Sequence, residues 1–206
     1  LLDDAGKRGE GVLALGDPDY GTKIDAATLT VMRGGAALET LPATREEAKA
    51  VGDTVLLGGD ATEAGLLSAI GRRPRWRAVH LACHGLVNHK RAQLSALALS
   101  GGDFLTVLEV FGAKVPADLV VLSACETAKG TVYRAEGVMG FVRAFMFAGA
   151  PRVIVSLWKV DDEATKALMV KFYELWKAGK PAATALKEAQ RFVASYVTGT
   201  HSFKTG

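Results

Sequence analysis

The chain has 206 residues, of which 49% are hydrophobic and 23% charged, enough to bury one sizeable core as a single globular domain. Its net charge is only +3, and Lys and Arg are interleaved with Asp and Glu, so no basic stretch asks for nucleic acid. Two cysteines make no disulfide framework, and no run has the form of a signal peptide or membrane span, which reads as a reducing, cytoplasmic setting without a membrane partner.

Taken in order, strand-like apolar runs alternate with helical ones, the pattern of an α/β domain on a mostly parallel sheet flanked by helices. Val12 to Leu15 reads as a strand running into the turn Gly16-Asp17-Pro18. A helix is predicted from about Leu41 to Val51, with Thr44 and Glu47 at capping-box spacing. Strand Thr54 to Leu57 follows. Asp60 and Glu63 repeat the capping pattern ahead of Leu66, Leu67 and Ile70, which share one helical face. Arg77 to Ala82 is the next strand, Leu86 to Gln93 a polar loop, and Leu94 to Leu99 a short strand reversed by Gly101-Gly102-Asp103. A short helix is predicted over Thr106 to Phe111 and a strand over Leu119 to Leu122.

Beyond these, a loop is predicted from Glu126 to Glu136, and then Val138, Phe141, Val142 and Phe145 recur at helical spacing. Gly149 caps that helix and Pro151 forbids its continuation. Val153 to Trp158 is a further strand, Asp161 and Asp162 open a helix striped by Leu168, Met169, Phe172 and Leu175, and Gly179 with Pro181 separates a last helix. The chain opens on Leu1 and closes on a polar tail from Thr200 to Gly206, the look of a piece of a longer protein.

Two segments carry the chemistry. Val79-His80-Leu81-Ala82-Cys83-His84-Gly85 and Val120-Val121-Leu122-Ser123-Ala124-Cys125-Glu126-Thr127 are each an apolar run that stops on a reactive residue. Imidazole and thiol at neighbouring strand ends can face one crevice, which is what a cysteine nucleophile with a histidine base requires. Cys125 is the candidate nucleophile and His84 the base, with the backbone N–H groups of Gly85 and Cys125 as oxyanion donors. By strand alternation Cys83 faces away from His84 into the core. His80 packs under the dyad rather than joining His84 and His89 in a metal site, since no carboxylate or thiolate stands at ligand spacing. No cofactor is implied. A cysteine phosphatase needs an arginine six positions after its cysteine, and Thr131 stands there. The serine-hydrolase elbow and the P-loop pattern are missing as well.

These segments, with Ala135-Glu136-Gly137 and Ser156-Leu157-Trp158-Lys159-Val160-Asp161-Asp162-Glu163-Ala164-Thr165, resemble the CHAT domain from about Leu41 to Ala194. The resemblance implies a caspase-hemoglobinase-like fold, related to caspases and separases, a His/Cys dyad and cleavage of protein substrates. It implies in addition a regulatory tetratricopeptide-repeat or sensor partner, with a part in bacterial defence or cell death. The residues after Tyr196 lack the aromatic strand common in the family, and the segment after His84 is short for it.

In the separase version of the Leu-Trp-x-Val segment, the acidic residue that meets a P1 arginine matches Asp162. The resemblance thus implies an acidic pocket at Asp162, with Asp161 beside it, and cleavage after Arg, less well after Lys. Both aspartates equally suit a helix N-terminus favoured by the dipole. Glu126 and Glu136 either order the active-site loop or face water, and Lys129 and Arg134 are candidate sites of activating cleavage in that loop. The competing reading is a caspase-like interaction module in a signalling or defence assembly, with an idle dyad.

Overall fold

The computed structural model describes residues 8–21, 38–88, 91–123, 125–126, 131–156 and 162–198. They fall into two units, Leu1–Lys159 and Val160–Gly206. In chain order the first unit carries β1 (Glu10–Pro18), α1 (Pro42–Val51), β2 (Thr54–Gly58), α2 (Glu63–Gly71), β3 (Trp76–Ala82), β4 (His84–Leu86), β5 (Ala96–Ala98), β6 (Phe104–Thr106), α3 (Val107–Gly112), β7 (Val120–Leu122), β8 (Cys125–Glu126), α4 (Thr131–Phe147) and β9 (Val153–Val155).

Five strands form one parallel sheet in the order β2-β1-β3-β7-β9, flanked by helices: the α/β, caspase-like fold. Its middle strands read as unbroken apolar runs because both faces are covered. Leu13, Leu15, Val79, Leu81, Cys83, Val120 and Leu122 form one core with Leu66 and Ile70 of α2 and with Phe141 and Phe145 of α4. His80, on the alternate face of β3, meets Glu47 of α1.

Helix starts follow the predicted elements more closely than the predicted caps. α1 opens on Pro42, and its N-cap residue Leu41 makes no side-chain bond. Thr44 is instead buried against β1: its hydroxyl accepts from Asp17 N at 2.8 Å and donates to the Leu41 carbonyl at 2.7 Å. Glu47, the expected partner in the capping box, is turned into the core. At α2 the cap is Thr62, which accepts from Gly65 N at 3.0 Å, and not Asp60. The complete capping box lies at α3, between Thr106 and Glu109; such caps are worth about 1 kcal/mol.

The larger departures lie beyond β3. Leu86 belongs to a strand, and Leu86, Val87 and Asn88 are all buried, where a polar loop was predicted. That strand, β4, pairs antiparallel with β5 and parallel with β8, and β5 pairs with β6 across the predicted glycine turn, giving a second, four-stranded sheet. α4 begins at Thr131, so Tyr133, Arg134 and Glu136 stand on a helix and the predicted loop is shorter. It ends as expected, with Gly149 at φ 121°.

The second unit is a pair of helices, α5 (Asp162–Lys177) and α6 (Ala182–Thr198). Gly179 at φ 98° and Pro181 separate them, as predicted. Lys180 pairs with Glu188, and Lys171 Nζ lies 5.5 Å from the Phe192 ring centroid. Among the described residues no helix is long and apolar enough to cross a membrane.

Candidate active site

The order of the large sheet reverses between β1 and β3, and at such a switch point a crevice opens beyond the carboxyl ends of the strands. β3 ends at Ala82, Cys83 forms a bend, and His84 opens β4 at that end. β7 ends at Leu122, and Cys125 opens β8. His84 and Cys125 are in register in a parallel ladder, followed by Gly85 opposite Glu126. Neighbouring strands lie about 4.8 Å apart, so the two main chains run side by side. On its other side Gly85 is in register with Leu97.

The His84 ring is buried, at 3% exposure. Its Nε2 lies 2.8 Å from the main-chain carbonyl of Glu39. A carbonyl only accepts, so Nε2 carries the hydrogen, and in the neutral ring Nδ1 holds the lone pair. Tyr20 covers the imidazole, with ring centroids 5.1 Å apart at 45°, and its phenolic oxygen accepts from His84 N at 3.2 Å. Tyr20 itself sits in a small apolar cluster with Leu86 and Ala98, against Leu38 and Phe104. Neither Tyr20 nor Glu39 emerges from sequence reasoning: Glu39 acts through a carbonyl every residue owns, and Tyr20 follows a turn with no periodic pattern around it.

His80 occupies a different setting. It is fully buried, and its Nε2 lies 3.0 Å from Glu47 Oε1. The misread capping residue Glu47 is thus the partner of a core histidine. Cys83 is wholly buried, and burial alone pushes its thiol up to about 12 from an ordinary 9.0, so it is inert at neutral pH. Asp162 is the first residue of α5 in the second unit, where a carboxylate favours the helix dipole. Asp161, His89, Lys129, Gly130 and Thr127 lie outside the described residues. Among the described residues, no three of His, Cys, Asp and Glu converge as metal ligands.

Comparison with known proteins places the chain beside relatives that share part of its length. Tetratricopeptide repeat protein 28 of Homo sapiens is 38% identical over 97 residues, and its Mus musculus counterpart 36% over the same length. Each match covers 47% of this chain but only 4% of the relative, so the chain spans a small part of either protein. The sequence model of the CHAT domain family matches residues 1–198, nearly the whole chain, and the protein belongs to the CHAT domain family.

Proposed function

We propose that the chain is a cysteine endopeptidase domain of a longer, regulated protein, with Cys125 as nucleophile and His84 as general base. The observation that supports this best is the parallel register of His84 with Cys125 just beyond the carboxyl ends of β3 and β7, together with the Nε2–H to Glu39 carbonyl bond. That bond holds the tautomer in which Nδ1 is basic, and Nδ1 accepts the Cys125 proton. The thiolate attacks the peptide carbonyl, and the C=O electron pair moves onto oxygen, where the N–H groups of Gly85 and Cys125 are the proposed donors. Removing one such donor typically costs about 2.7–4 kcal/mol of transition-state stabilisation. When the tetrahedral species collapses, the imidazolium gives its proton to the leaving amine. Water then attacks the thioester, losing a proton to the same imidazole, which returns it to the cysteine sulfur as the acid product leaves.

The substrate reading is cleavage after Arg, less well after Lys, with Asp162 and Asp161 as the carboxylates that meet the guanidinium. Regulation by a repeat-bearing or sensor partner is supported by the matched relatives, which are named for tetratricopeptide repeats. A reducing cytoplasm would keep Cys125 a thiol, and defence or cell death is the proposed setting.

The test is intact mass after exposure to a peptide electrophile bearing a P1 arginine. One adduct is expected that survives Cys83→Ser, disappears with Cys125→Ala, and slows about 10²–10⁴-fold with His84→Ala. Absence of any adduct, or one indifferent to Cys125→Ala, would favour the interaction module. Faster labelling by a P1 aspartate would overturn the acidic pocket while leaving the dyad standing.

A further inference from the structure

Two residues touch the His84 ring, and both belong to the connection between β1 and α1. Tyr20 arrives just after β1, and Glu39 just before α1. They are tied together at one place. Asp17 N donates to Thr44 Oγ1 at 2.8 Å, and the same hydroxyl donates to the Leu41 carbonyl at 2.7 Å, two residues from Glu39. The Asp17 carboxylate accepts from Arg45 Nε at 2.7 Å. Asp17 lies three residues before Tyr20, and beyond it Asp19 N donates to Ser100 Oγ at 2.9 Å.

The clamp is held under constraint. Asp17 is the one described non-glycine residue with positive φ, 44°, and the β1–β2 register shifts between Gly16 and Pro18 to bring it there. A Cβ at Gly16 would come within 2.3 Å of the Thr44 carbonyl oxygen, so only glycine lets the first turn of α1 approach so closely. A backbone this unusual, with N–H and carboxylate both engaged by consecutive α1 residues, is overdetermined for a mere turn.

We infer that Asp17 and Thr44 are positioning residues for His84: they lock the start of α1 to the end of β1, and so fix together the carbonyl and the phenol that orient the imidazole. This rests on the reading of His84 as the base of Cys125.

The test measures alkylation of Cys125 by iodoacetamide as a function of pH, site by site, by mass spectrometry. Buried Cys83 serves as an internal monitor, because it labels only where the fold opens. In the native protein the Cys125 inflection is expected below that of a free cysteine thiol. Thr44→Val and Asp17→Ala should each raise it by about one unit, slowing Cys125 about tenfold at pH values below both inflections. Cys83 stays unlabelled, and Thr44→Ser restores the native profile. Should Thr44→Val label Cys83, Arg45→Gln, at a side chain 40% exposed, must still move the inflection upward by a smaller amount. Native inflections in these variants beside an altered one in His84→Ala would overturn the positioning role and leave the dyad intact. A native profile in His84→Ala itself would overturn the dyad.

Discussion

His80 and His84 stand four residues apart with Cys83 between them, and the chain crosses from one physical regime to another within that stretch. His80 is sealed in the middle of the large sheet with a carboxylate, Glu47, at 3.0 Å. His84 is buried too, but its Nε2 meets a main-chain carbonyl, and a phenol lies against its ring and accepts from its main-chain N–H. Burial therefore does not distinguish the core histidine from the proposed base. The two differ in what meets Nε2: a carboxylate at His80, and at His84 a carbonyl, which orients the ring with its hydrogen on Nε2.

The sharpest way to test the interior half is Cys83. Its thiol titrates at about 12 in the folded protein against an ordinary 9.0, so above about pH 9 the unfolded chain loses a proton that the native state keeps. Stability contributed by that difference is whole below pH 9 and falls as pH rises toward 12, by about 4 kcal/mol at the limit. Melting temperatures followed across that range should fall more steeply for the native protein than for Cys83→Ala; parallel curves would mean that the interior is not dry.

Next in size is Glu47→Ala. It leaves His80 without its carboxylate and should cost about 1–3 kcal/mol in denaturant titration, while Cys125 in the folded fraction keeps its native labelling rate. An equal loss of labelling would break the division between the two histidines. The smallest effect belongs to Tyr20→Phe, which keeps the ring on His84 and removes the acceptor of its N–H. About 0.5–1.5 kcal/mol of stability and a few-fold slower labelling are expected; a larger drop in rate would give the phenol a direct part in the chemistry.

The large sheet was legible because its strands are doubly covered. Val79 to Leu81 and Val120 to Leu122 have no polar positions but His80, and a run of that kind has few other places to go. The small sheet was legible only in part: Leu94 to Leu99 and its glycine reversal read as a strand and turn, and β5 lies there, but β4, β6 and β8 did not read as strands. Its strands are two or three residues long, too short for any period, and they exist through pairing between segments as distant as His84 and Cys125. Thr44 and Glu47 failed as a capping box for a related reason: local spacing offers one use for a hydroxyl and a carboxylate, and the sheet beneath offered Asp17 N and His80 instead. The residues at the heart of the candidate site were visible as strand-end residues. Those that orient them, Tyr20 and Glu39, act through a turn and a carbonyl.

The pairing of β4 with β8 carries a practical consequence. Main-chain hydrogen bonds build that ladder, so its frame does not depend on whether a thiol or an imidazole hangs from it. Cys125→Ala should therefore leave the frame around the dyad standing. If the chain cleaves polypeptides as proposed, that variant would hold its substrate uncut and offer a direct means of fishing it out.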